Sequence, residues 1–149
     1  MMWNPKKSVL LSAIFTRIVI ALVVCFLFTS PTIVSNYVDY TMKNPEIIKS
    51  LLLTIYACSI PGLVALICLD RLLHNIKKED IFIEKNVKLL RYISWCSFAV
   101  SVILVISGFY YILFLMIAVA AAFIGLILRV VKNVIEQAMI IKNENDFTI

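Results

Sequence analysis

YILFLMIAVAAAFIGLILRVV, residues 111 to 131, carries a single charged side chain, Arg129, and that lies near its end. As a helix rising 1.5 Å per residue these 21 residues measure about 31 Å, the thickness of a bilayer's hydrocarbon core. A stretch so uniformly apolar has no polar face to offer water, so it reads as a transmembrane span. Immediately before it stand Gly108, Phe109 and Tyr110, and before them another apolar run, Leu89 to Ser107. So short a connection makes the two spans an antiparallel hairpin. Working further back, Ile47 to Leu69 and Ser8 to Thr29 are also long and apolar enough to cross. The expected fold is an all-α membrane protein, a compact antiparallel bundle of four transmembrane helices over 8–29, 47–69, 89–107 and 111–131, forming one domain across 1–149.

Composition agrees. Of 149 residues, 62% are hydrophobic and 15% charged, where soluble domains carry about 25% charged. The net charge of +5 does not indicate nucleic acid, because no basic run interleaved with aromatics occurs; direct nucleic-acid binding is not expected. Eleven of the fourteen Lys and Arg residues, from Lys6 and Lys7, the 70–91 segment and the stretch after Val131 together with Arg129, fall on one side of the proposed spans. Lys43 and Lys49 fall on the other. The positive-inside rule therefore directs both termini, the 70–88 loop and the 132–149 tail to the cytoplasm. The opposite side holds the loop Ser30–Glu46, with Tyr37, Val38, Tyr40 and Met42 at the interface, and the short hairpin turn.

Within the spans the polar signals are few. Arg17 is charged and lies nine residues after Ser8, about 14 Å in. It is close enough for its side chain to snorkel to the cytoplasmic surface or to meet Asp70 at the end of the second span. Pro61 interrupts backbone hydrogen bonding in the second span and reads as a kink. In the fourth, Ala118/Ala122 and Ala121/Gly125 are small-x-x-x-small pairs that admit a close neighbour, either within the bundle or across a homodimer face. Cys25, Cys58, Cys68 and Cys96 lack disulfide or zinc spacing and read as packing side chains. No catalytic set, metal-ligand cluster or phosphate-cradling loop is present, so no enzyme activity, cofactor or metal is expected.

Two segments carry more information. The first is DRLLHNIKKEDIFIEKNVKLLR, Asp70 to Arg91, where Ile81, Phe82 and Ile83 break a polar stretch and Glu84 opens the next helix. Here Phe82 and Ile83 either staple the turn onto the bundle end or present a docking platform. The second is the tail. Val130, Val131, Val134, Ile135, Ala138, Met139 and Ile141 recur at helical spacing, so the last helix is expected to continue into the cytoplasm. It ends on Glu144, Asn145, Asp146, Phe147, Thr148 and Ile149.

These two segments carry a resemblance. The run Ile81 to Arg91 and the ending Glu144 to Ile149 resemble those of the bacterial YoaS-like membrane family, catalogued as domain of unknown function 2975, and the likeness extends over essentially the whole chain. The family pattern has a phenylalanine followed by Glu-Asn-Val and Leu-Arg, and a terminal Glu-Asn-Asp-Leu-Thr-Ile. Here Lys85 separates Glu84 from Asn86, and Phe147 stands where leucine is usual. The resemblance implies four spans in the bacterial cytoplasmic membrane with both ends inside. It also implies a small Xre/Cro-type helix-turn-helix regulator encoded beside members of the family, and such a protein is the partner expected here at the cytoplasmic face. On that basis the partner-binding candidates are Phe82, Glu84, Asn86, Arg91, Glu144, Asn145, Asp146, Phe147 and Ile149, beside the lipid bilayer itself. Two other readings stand: the tail folds back to cap the bundle, with Phe147 or Ile149 buried, or the protein is a small transport, channel-like or immunity-type membrane protein using Arg17, Pro61 and the small residues of the fourth helix.

Overall fold

The computed structural model describes residues 5–78 and 81–147, with side chains from Lys7. Four helices follow in chain order: α1 Pro5–Tyr40, α2 Ile47–Lys77, α3 Glu84–Ser107 and α4 Leu113–Phe147. All four are long and apolar enough to cross a membrane. Among the described residues there is no strand.

Among the described residues, the backbones of α1 and α2, of α2 and α3, and of α3 and α4 lie against each other, and no other pair of helices does so. In each pair the residue numbers run in opposite senses: Arg17 meets Asp70 and Ser30 meets Tyr56; Asn75 meets Asn86 and Thr54 meets Ser107; Ser94 meets Gly125 and Ser101 meets Ala118. α3 is the most enclosed helix and α1 the least. Two small apolar cores mark the ends. Val34, Val38 and Leu51, with Phe114 against them, form one. Leu72, Leu90 and Ile93, joined by Leu128 and Ile135, form the other. The second lies at the end carrying the 78–83 connection, called here the basic end.

Helix α1 outruns its sequence-based boundary. The expected loop Ser30–Glu46 is helical as far as Tyr40, and only residues 41–46 connect α1 to α2. Pro31 cannot donate a backbone hydrogen bond to Leu27, four residues back. That carbonyl instead accepts the Ser30 hydroxyl at 2.9 Å and the Tyr56 hydroxyl of α2 at 3.3 Å. The proline is thus absorbed into the helix, and its orphaned acceptor becomes a tie to α2. Val38, expected at the membrane interface, is core instead, 1% exposed.

The end of α1 is closed by a hydrogen-bond pair characteristic of a left-handed helix cap: Lys43 N–H donates to Val38 and Met42 N–H to Asp39. Met42 occupies the left-handed position with φ 49°, where glycine is usual. Helix α2 continues through Pro61 unbroken. The α3–α4 hairpin turns through Gly108, where an added Cβ would stand 2.6 Å from the Leu115 side chain.

Hydroxyls bind the helices together midway along α3 and at the hairpin end. Ser94 Oγ donates to the Gly125 carbonyl and Ser101 Oγ to the Ala118 carbonyl, both at 2.8 Å. Ala118 is 1% exposed, and a Cβ on Gly125 would press the Phe98 ring at 3.2 Å. Two of the small residues of α4, Ala118 and Gly125, therefore face α3 within the chain, while Ala121 and Ala122 are half-buried. Thr54 Oγ1 shares hydrogen bonds with Ser107 Oγ at 2.8 Å and Tyr110 Oη at 2.6 Å, fastening α2 to the α3–α4 hairpin. Where lipid replaces water, apolar contact alone gives little preference for helix over lipid, so such bonds and close packing hold the helices.

Candidate functional site at the basic end

The basic end gathers most of the residues singled out in the sequence. Arg17 of α1 donates from Nε to Asp70 Oδ1 of α2 at 3.0 Å. On the far side of the same end, Arg91 of α3 and Lys132 of α4 converge on Glu136, at 3.7 and 2.6 Å. Glu136 was not among the sequence candidates, although Lys132 four residues before it is a visible helical pair. It is the residue that connects Arg91 to the extension of α4. The hydrogen bond from Lys132, helped by the charges of Lys132 and Arg91, holds its carboxyl below the ordinary glutamate value. Arg129 lies over the Trp95 ring at 5.6 Å, the placement expected of a cation and an aromatic at a membrane interface.

The connection from α2 to α3 is held from inside. Asn86 is 1% exposed. Its Oδ1 accepts from Asn75 Nδ2 at 2.8 Å, and its Nδ2 donates to the Ile81 carbonyl at 2.9 Å. Asn86 therefore sits inside the fold and clamps the loop. Asn75, its partner, carried no signal in the sequence. Phe82 stays 42% exposed, so it does not tuck under as a staple. Glu84 is exposed and faces Lys88 at 3.7 Å along the first turn of α3.

The tail does not fold back over its described length. α4 runs to Phe147, and every residue from Ile140 to Phe147 is exposed, Phe147 at 91%. No Gly or Pro stands after Gly125 to stop the helix. Glu144, Asn145 and Asp146 lie on this projecting segment, and Ile149 lies outside the described residues. Ile135 packs into the core at the basic end, and Met139 borders a groove with Val87 and Glu136, while Val130, Val131, Val134 and Ile141 remain exposed.

A cavity of about 600 Å³ opens between α1, α2 and α3 at this end, bordered by Arg17, Asp70, Arg71, His74, Lys85 and Lys88 among others. Lys85 lies outside the set picked from the sequence for binding, as do Arg71, His74 and Lys88; in the sequence they are scattered over 71–88.

Four long apolar helices with their charges collected at the ends define a multi-pass integral membrane protein. Residues 34–149 match the family described as protein of unknown function DUF2975, and the chain belongs to that family. The match takes in both stretches that carried the resemblance and starts within α1, so Arg17 precedes it. No curated protein and no solved structure matches the chain.

Proposed function

We propose that this protein is a membrane-held binding module, a four-helix bundle in the bacterial cytoplasmic membrane with both termini and the 78–83 connection facing the cytoplasm. There it holds a small helix-turn-helix DNA-binding regulator. The observation that supports this reading is the projection of α4. Ile140, Glu144 and Phe147 recur at i, i+4 and i+7, which places two apolar anchors and an acidic group on one side of an exposed helix. That is the form in which a helix enters a groove on a partner, read through anchors one and two turns apart. Asp146 adds negative charge suited to a basic protein, and Phe82 and Glu84, exposed at the start of α3, offer a further apolar and acidic pair at the basic end. The mechanism is sequestration: regulator bound at the membrane is withheld from DNA, and release restores it.

The test is affinity purification from native membranes in mild detergent with mass spectrometry. It compares the full chain with a form lacking Asn143 to Ile149 and with Phe147→Asp. A small DNA-binding protein recovered with the full chain, and lost with both variants, is the expected result. Equal recovery with all three, or a reporter of that regulator unmoved by the truncation, overturns the reading.

A further inference from the structure

The cavity at the basic end has a chemistry of its own. Four cationic side chains, Arg17, Arg71, Lys85 and Lys88, border it with one carboxylate, Asp70, and with His74. Asp70 is already engaged: it accepts from Arg17 Nε. That bond uses one of the five N–H donors of a guanidinium, so Arg17 is oriented by Asp70 and still has amino groups to offer. Lys88 faces Glu84 at 3.7 Å with both side chains largely exposed, a pair too solvated to compete strongly for the lysine. The cations come from three different helices, so the cavity exists only when α1, α2 and α3 are packed. Its volume of about 600 Å³ is in the range of small-ligand sites.

The surroundings identify the kind of anion. A smaller adjoining cavity shares Arg17, Asp70 and His74 and is bordered by Leu10, Ile14 and Leu73. Leu10 and Ile14 belong to the exposed apolar face of α1, which in a membrane faces acyl chains. A ligand here meets cations on one side and lipid on the other. We infer that this cavity is a phosphate site that holds the headgroup of an anionic phospholipid, its phosphodiester among Arg17, Arg71, Lys85 and Lys88 and its acyl chains along α1. Basic pockets between membrane helices at the positively charged end suit such headgroups. The lipid then bridges α1 to α2 and α3, at the helix that is least enclosed by the rest of the protein.

The experiment uses the full chain in phosphatidylcholine nanodiscs doped with phosphatidylglycerol, with bound lipid counted by native mass spectrometry after release into mild detergent. The perturbing variant is Arg71→Gln/Lys85→Gln/Lys88→Gln, which spares the Arg17–Asp70 pair. Lys43→Gln/Lys49→Gln/Lys142→Gln removes the same charge elsewhere. Arg71→Lys/Lys85→Arg/Lys88→Arg keeps the charge and reports on folding. Wild type, the control and the charge-keeping variant retain one phosphatidylglycerol, and the perturbing variant binds it about a hundredfold more weakly, at roughly fivefold per lost cation. Equal loss in the perturbing variant and the control would reduce the effect to general surface charge and overturn the site. So would retention of phosphatidylcholine in equal amount. Displacement of the lipid by millimolar inorganic phosphate would assign the cavity to the free anion and overturn the lipid as its source.

Discussion

Replacing Ser94 and Ser101 with alanine tests how α3 holds α4. Each hydroxyl donates at 2.8 Å to a backbone carbonyl of the neighbouring helix, Ser94 to Gly125 and Ser101 to Ala118. Those carbonyls also accept from N–H groups four residues on within α4. Removing the serine therefore leaves no buried acceptor without a bond, and the cost is the interhelical bond alone. Such bonds in membranes are worth about 0.6 kcal/mol on average, with a maximum near 1.7. The two serines are seven residues apart, about 10 Å along the helix, far enough for their effects to add. The double variant should lose about 1 to 3 kcal/mol, close to the sum of the single losses. Reversible unfolding in mixed micelles, followed by circular dichroism, measures it, with Ser97→Ala on the same helix as the control. A double variant within about 0.3 kcal/mol of wild type, near the error of such comparisons, would show that these hydroxyls do not fasten α4, and the account of the α3–α4 interface would fail.

Other expectations are as direct. Met42→Gly should stabilise the protein by about 1 kcal/mol in the same assay, because Met42 is 95% exposed and holds φ 49°, a conformation that costs L residues about that much; Met42→Val should do the reverse. Asn86→Ala should cost about 1 to 3 kcal/mol, since it strands the Ile81 carbonyl and the Asn75 amide, and it should speed protease cleavage between Lys78 and Ile83. Glu136 has a lowered pKa in the folded protein, so its contribution is complete above the ordinary glutamate value and is lost as pH falls through the depressed one. Wild type should therefore exceed Glu136→Gln in stability near pH 7, and the difference should shrink as the pH is lowered below the ordinary glutamate value.

What could be read in the sequence followed from properties that do not depend on neighbours. Twenty apolar residues in a row cross a bilayer whatever they pack against, so the four long helices were visible, as was the continuation of α4 beyond Arg129. The end of α1 was not. Pro31 reads as a stop unless Tyr56, on another helix, supplies the Leu27 carbonyl with a donor. Asn86 lay in a motif that looked like surface, and its burial depends on Asn75 and on the path of the 81–83 backbone. Thr54, Ser107 and Tyr110 were inconspicuous because hydroxyls are common in apolar spans. A usable signal was present for the α3–α4 interface: Ser94 and Ser101, like Ala118 and Gly125, are spaced by seven, a match between a donor stripe and a small-residue stripe. The cavity at the basic end was hidden for a different reason, since its cations come from three helices and only packing assembles them.

The proposed function depends on the basic end and the tip of α4 facing the cytoplasm. The most direct measurement is thiol labelling in intact cells with a membrane-impermeant maleimide. Two forms in which Cys25, Cys58, Cys68 and Cys96 are replaced by alanine would carry a single cysteine, through Met42→Cys or Asn143→Cys. Met42→Cys should label without permeabilisation and Asn143→Cys only after it. Labelling of Asn143→Cys in intact cells would put the projecting end of α4 outside, and a cytoplasmic regulator could not be its partner.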